Sequence, residues 1–138
     1  MKVVTVSTEA APAAIGAYSQ GVVAGDFVFC SGQMPLDPVS GGLVSGTVRQ
    51  QTCRVLDNLE AVLATANSGL EDIIKTTLYL TDLEDFAEVN AVYGERLSPH
   101  RPARVTVEVA RLPLDAHIQI DCIARQGSSR TDAGGYTS

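Results

Sequence analysis

The sequence predicts an α+β domain, a mixed sheet with two helices on one face in the order β-β-β-α-β-α-β-β. Three observations carry this. Two segments repeat their apolar residues every 3.6 positions, as one face of a helix requires. Six short runs rich in β-branched and apolar residues surround them, and the last two alternate with period two. At 138 residues and 45% hydrophobic, the chain suits one domain with a real core.

Val3 to Val6 is a β-branched run, followed by an Ala-rich stretch to Gly16. Gly21 to Ala24 and Phe27 to Ser31 flank Gly25-Asp26, a pair suited to a two-residue hairpin turn. Gly32 to Gly46 is glycine-rich, contains Pro35 and Pro38, and reads as a loop. Thr47 then caps a helix in which Val48, Thr52, Val55, Leu56, Leu59, Val62, Leu63 and Ala66 share a face. Asn67-Ser68-Gly69 stops it. Ile73 to Thr81 has strand composition. A second helix is expected from about Leu83, with Asp82 as cap and Phe86, Val89, Tyr93 and Leu97 on its buried side. Ser98 to Pro102 ends it. Arg104 to Val109 alternates, with Val105, Val107 and Val109 facing one way and Arg104, Thr106 and Glu108 the other. Ala110 to Ala116 connects to His117–Ala124, where Ile118, Ile120, Cys122 and Ala124 oppose His117, Gln119, Asp121 and Ile123. Residues 1–125 thus form the expected domain, and Gln126 to Ser138 an expected flexible tail.

Sixteen acids against ten bases give a net charge of −6, and Lys2 and Lys75 are the only lysines. A nucleic-acid partner is not expected, because phosphate binding draws on clustered Lys and Arg. Cys30, Cys53 and Cys122 are odd in number and widely spaced, which fits neither a disulfide framework nor a zinc site. They read as buried thiols in a reducing cytosol. No apolar run approaches the ~20 residues of a membrane span, and no signal segment precedes Pro12. A cytoplasmic protein with no membrane association is expected.

The sheet face away from the helices needs a use. It is expected to carry Arg104, Thr106, Gln119 and Asp121, with Ile123 and Tyr79 exposed among them. Such a half-polar face is either solvated or covered by another subunit, and a lone arginine at a strand start points to a site between subunits. Taken alone, Arg104 has two readings: a surface arginine paired with Glu108 or Asp121 across the sheet, or a guanidinium fork gripping a substrate carboxylate. Tyr18 is either a pocket wall or an aromatic covering core. Ser31 and Gly32 end a strand where a hydroxyl and an amide could meet a small anion, or where an ordinary turn begins. No phosphate loop, GxSxG elbow or HExxH helix is present, and neither His100 nor His117 shows signs of a triad.

These segments gain meaning together. Gly16-x-Tyr18-Ser19-Gln20, Phe29-Cys30-Ser31-Gly32-Gln33-Met34-Pro35, Asp57-Asn58-Leu59, Lys75-Thr76-Thr77, Phe86 through Asn90 to Tyr93, and Pro102-Ala103-Arg104 through Leu112-Pro113 occur in that order. The chain resembles the reactive intermediate deaminase family (RidA, or YjgF-type) from about residue 3 to residue 125. The resemblance implies a chorismate-mutase-like subunit, a homotrimer and three clefts between neighbours. It implies a hydrolase acting on C–N bonds that converts 2-imino and enamine acids such as 2-aminoacrylate to 2-oxo acids and ammonia. No cofactor of its own is implied, although the substrates come from pyridoxal-phosphate enzymes. Arg104 would hold the substrate carboxylate, Tyr18 and Asn90 would line the cleft, and Ser31 and Gly32 would form its floor. Thr106 stands where the family often has cysteine.

One departure bears on mechanism. Catalytic members of the family carry glutamate in the last strand, where this chain has Gln119, and Ala17 replaces a common proline. An amide can hydrogen-bond a water but cannot act as a base near pH 7. Losing a general base lowers rate by about 10²–10⁴-fold. Asp121, on the same strand face, is a possible substitute. The expected activity is a deaminase weakened at Gln119. The alternative is a non-catalytic protein that binds small carboxylates or assists other enzymes. A ribonuclease is the least favoured by the charge.

Overall fold

The computed structural model describes residues 1–127; of the tail expected from Gln126, Gln126 and Gly127 are held by backbone hydrogen bonds to Asp26 and Asn67, and the rest lies outside the described residues. Strands β1 (Val3–Val6), β2 (Gly21–Ala24) and β3 (Phe27–Gln33) precede helix α1 (Val48–Thr65). Strand β4 (Ile73–Leu80), helix α2 (Phe86–Leu97), β5 (Ala103–Glu108) and β6 (Ile118–Arg125) follow. All six strands form one sheet in the order β1-β2-β3-β6-β4-β5. The predicted α+β order is the observed one.

Local chemistry explains the elements. Thr47 and Gln50 cap α1 reciprocally: the Thr47 hydroxyl accepts from the Gln50 amide (3.2 Å), and the Gln50 side chain accepts from the Thr47 amide (2.8 Å). Gly25, at φ +60°, turns the β2–β3 hairpin. β4 and β5 run parallel, and α2 is the crossover such a pair needs. Every other pairing in the sheet is antiparallel.

Both helices cover the same side of the sheet. Val55, Leu59, Val62 and Leu63 of α1 and Val89 of α2 are fully buried against Val28, Leu78, Leu80, Ile118 and Ile120. Each such side chain contributes about 1.5–3 kcal/mol by leaving water. Asn58 is buried with them, and its side-chain amide donates to Met34 O (3.1 Å) and Leu36 O (3.0 Å). It thereby pins the glycine-rich loop to α1.

Two expectations need correcting. The second helix does not begin at Leu83: Leu83–Asp85 is a 3₁₀ turn, which Asp82 caps by accepting from the Glu84 amide, and α2 starts at Phe86. More important, the four polar residues expected on the helix-free face divide between the two faces. Arg104 and Thr106 pair with the buried Thr76 and Leu78 and so point to the helix side. Gln119 and Asp121 pair with Tyr79 and Thr77 and point to the other. Alternation shows that two sets of residues oppose each other but not which set meets the helices. On β5, an edge strand with neither side fully buried, nothing in its own sequence decides.

The helix-free face is strongly apolar at its ends. Phe27 (42% exposed) and Phe29 (44%) lie toward one side, with Val105 (46%) and Val107 (37%) on the other. Ile123, Asp121, Gln119 and Tyr79 lie between them, and Tyr79 donates to Asp121 at 3.0 Å.

Candidate functional site

Arg104 is the second residue of β5, placed beside α2 by the parallel β4–β5 register. α2 presents Phe86, Asn90 and Tyr93 along one side, the i, i+4, i+7 spacing of a helix face. The guanidinium lies over both rings, its carbon 5.3 Å from the Phe86 centroid and 5.0 Å from that of Tyr93. Its Nη1 donates to Asn90 Oδ1 at 2.7 Å. Each ring contact contributes about 0.5–1 kcal/mol at an open site, so the side chain is held before any ligand arrives.

What Arg104 lacks matters as much. Among the described residues it makes no ion pair. The acids that could have paired it are engaged elsewhere: Glu108 accepts from the Leu83 amide (2.9 Å) and Asp121 from Tyr79. An arginine has five donors. One is on Asn90, and the residue borders a cleft of about 390 Å³ lined by Asn90, Tyr93, Gly94, Arg101, Pro102 and Arg104. The expected ion pair with Glu108 or Asp121 is therefore not formed, and the guanidinium is left beside an open cleft.

Tyr93 is the base of the cleft. Its hydroxyl meets the Thr76 hydroxyl at 2.8 Å, and burial raises its pKa despite the opposing effects of Thr76 and Arg104. The phenol therefore stays protonated at neutral pH. Thr106 is half-buried on the same side of β5, two residues along from Arg104.

The remaining candidates lie elsewhere in the chain. Gln119 lies against Gly32 on the helix-free face. A Cβ at Gly32 would sit 2.7 Å from the Gln119 side-chain carbonyl carbon, so a larger residue there would force the Gln119 side chain from this position. Gly32 falls where the β3–β6 register shifts, a bulge that brings this backbone toward β6. Ser31 does not offer its proton to an anion: its hydroxyl donates to Ser19 O (2.6 Å) and its amide to Gln20 O (3.0 Å). It ties down the segment carrying Tyr18. Gln20 assists from inside, accepting from the Thr8 amide (2.7 Å) and donating to Pro12 O (2.7 Å). Tyr18 itself is 54% exposed, not a core cover, and borders a cavity of about 590 Å³ with Thr8, Ser19, Pro38 and Val39. That cavity and one of about 550 Å³ beside β1 exceed the Arg104 cleft in volume, but among the described residues no arginine lines either.

One chain thus brings together Arg104 and Asn90, with Thr106 further along the same strand face, and separately Gly32 with Gln119. The two groups occupy opposite faces of one sheet. Phe86 and Tyr93 pack with the core as the helix periodicity predicts; that they also underlie Arg104 is signalled in the sequence only by their spacing from Asn90. Arg101 carries no such signal.

A family model described as Endoribonuclease L-PSP matches residues 8–126. A protein of Salmonella typhimurium named 2-iminobutanoate/2-iminopropanoate deaminase is 48% identical over 123 residues, covering 87% of this chain and 95% of its own. A putative endoribonuclease of Thermotoga maritima has a structure with TM-score 0.88 and 47% identity, covering 91% of this chain and 98% of that one. The structure of TdcF of Escherichia coli with bound serine has TM-score 0.83 and 41% identity, covering 88% and 97%. No described helix is long and apolar enough to cross a membrane.

Proposed function

Since the chain belongs to the reactive intermediate deaminase (RidA/YjgF) family, we propose that it hydrolyses 2-imino and enamine acids to 2-oxo acids and ammonia. The reaction would take place in a cleft shared by neighbouring copies of a homotrimer. The observation that carries this reading is Arg104, preorganised on two rings and Asn90, unpaired, and open to a cleft. A bidentate guanidinium–carboxylate contact is the natural complement. The bound serine of TdcF is an amino acid with such a carboxylate.

The division of the site supports assembly. Gln119 and Gly32 cannot reach Arg104 through their own sheet, so a complete site requires the apolar, helix-free face of a second copy. Such a head-to-tail contact gives a ring where its rotation closes, three copies in the proposed trimer. The three unpaired cysteines fit a cytoplasmic location.

With the carboxylate fixed, water adds to the imine carbon and the C=N electron pair moves to nitrogen, which takes a proton. The hydroxyl of the resulting carbinolamine passes its proton to that nitrogen, the C–N bond breaks as the carbonyl forms, and ammonia leaves. An enamine first takes a proton on its terminal carbon. Gln119 orients the water through its carbonyl oxygen without accepting its proton. Catalysis is therefore placement more than proton transfer. Gln119 also favours a second reading, a carboxylate binder with little turnover. Ribonuclease activity, which the family model's description names, sits poorly with a net charge of −6.

The test is release of ammonia and 2-oxo acid from freshly generated 2-aminoacrylate. Arg104→Ala should lower kcat/KM by about 10²–10⁴-fold, the loss of two charge-assisted hydrogen bonds. Equal rates in both proteins would reject the reading.

A further inference from the structure

A second arginine borders the cleft. Arg101, three residues before Arg104, lines the same 390 Å³ space. Its Nη1 donates to the carbonyls of His100 (2.9 Å) and Gly94 (3.2 Å), which drapes the side chain over the C-terminal end of α2. Like Arg104, it makes no ion pair among the described residues. None of the six lining residues is an acid. Both guanidinium charges also bear on the Tyr93 phenol, opposing the effect of its burial.

The cleft is therefore a local positive site on a chain of net charge −6. A single carboxylate on Arg104 would leave the second charge unanswered. On the facing half, position 119 carries a neutral amide, and the one acid beside it on that face, Asp121, is engaged by the Tyr79 hydroxyl. We propose that the site prefers 2-imino acids bearing a second carboxylate, with Arg104 taking the carboxylate next to the imine and Arg101 the distal one. This rests on the function proposed above and narrows its substrate class. The reaction keeps its balance: a 2-imino dicarboxylate and one water yield a 2-oxo dicarboxylate and ammonia.

The test compares two stable product analogues of equal chain length, 2-oxoglutarate and 2-oxopentanoate, by calorimetry on the assembled protein. Turnover of the corresponding imines, generated from glutamate and norvaline by an amino-acid oxidase, is measured in parallel. 2-Oxoglutarate should bind about tenfold more tightly, as one further charge-assisted contact in an open cleft allows. Arg101→Gln should bring the affinity ratio to about one, and Arg101→Lys should retain part of the preference. A wild-type ratio near one, or a preference that survives Arg101→Gln, overturns the inference. If the ratio is near one while Arg104→Ala still abolishes 2-oxopentanoate binding, the proposed function stands and only the dicarboxylate preference falls. Failure of both ligands to bind overturns both.

Discussion

Replacing Gln119 by glutamate changes one group at a position whose backbone is firmly held. Gln119 sits between Ile118 and Ile120, both fully buried, and pairs with Tyr79 across the β4–β6 ladder. The two side chains have the same length, so the new carboxylate should occupy the place of the amide against Gly32. In the proposed reaction, what it adds is a proton acceptor beside the attacking water. General-base participation is worth about 10²–10⁴-fold, or roughly 2.7–5.5 kcal/mol of barrier. Asp121, two residues along on the same face, raises the pKa of the new carboxyl by like-charge repulsion, bringing the base nearer the working pH. The assay is initial ammonia release from 2-aminoacrylate across pH 5–9, with 2-oxo acid affinity measured alongside. Gln119→Glu should raise kcat about 10²-fold or more while changing affinity little. Its activity should climb as pH rises through the carboxyl titration, since the deprotonated form is the base. Wild type should lack that limb. A gain below about threefold, with unchanged pH dependence, would show that Gln119 does not face the reacting water.

Gly32→Ala drives a methyl group into the Gln119 side chain, so it should lower kcat about tenfold or more with little change in carboxylate affinity; steady-state kinetics and calorimetry check this. Asn90→Ala removes the 2.7 Å hydrogen bond that aims Arg104 but leaves both rings beneath it, so product-analogue affinity should fall roughly three- to tenfold, about 1 kcal/mol. Cys122 hydrogen-bonds Cys30, and that contact together with burial holds its thiol pKa well above the usual value. At pH 8 only Cys53, half-buried on α1, should react promptly with a thiol reagent, and all three should react in denaturant.

Most of the fold was legible in the sequence because its signals are local. The Thr47 cap, the 3.6-residue period through Leu63, the Gly25 turn and the alternation of β6 each declare themselves within a few residues. What failed to show is set by distant pairing. The face on which Arg104 lies depends on its register with Thr76 and on α2 crossing above, neither encoded near residue 104. Ser31 looked like a ligand donor because its commitment to Ser19 depends on a loop folding back twelve residues away. The same limit hid Arg101, whose anchor is the end of a helix rather than a motif.

The proposed reaction needs one site assembled from two chains. Arg104→Ala and Gln119→Trp variants, each disabling a different half, should be inactive alone; unfolded together in equal amounts and reassembled, they test this directly. If each cleft takes Arg104 from one copy and Gln119 from the next, about a quarter of the clefts in a randomly mixed ring regain both halves. Roughly a quarter of wild-type deaminase activity should then return. Recovery of none, in mixed assemblies verified by mass, would place both groups in one chain's own site and contradict the account.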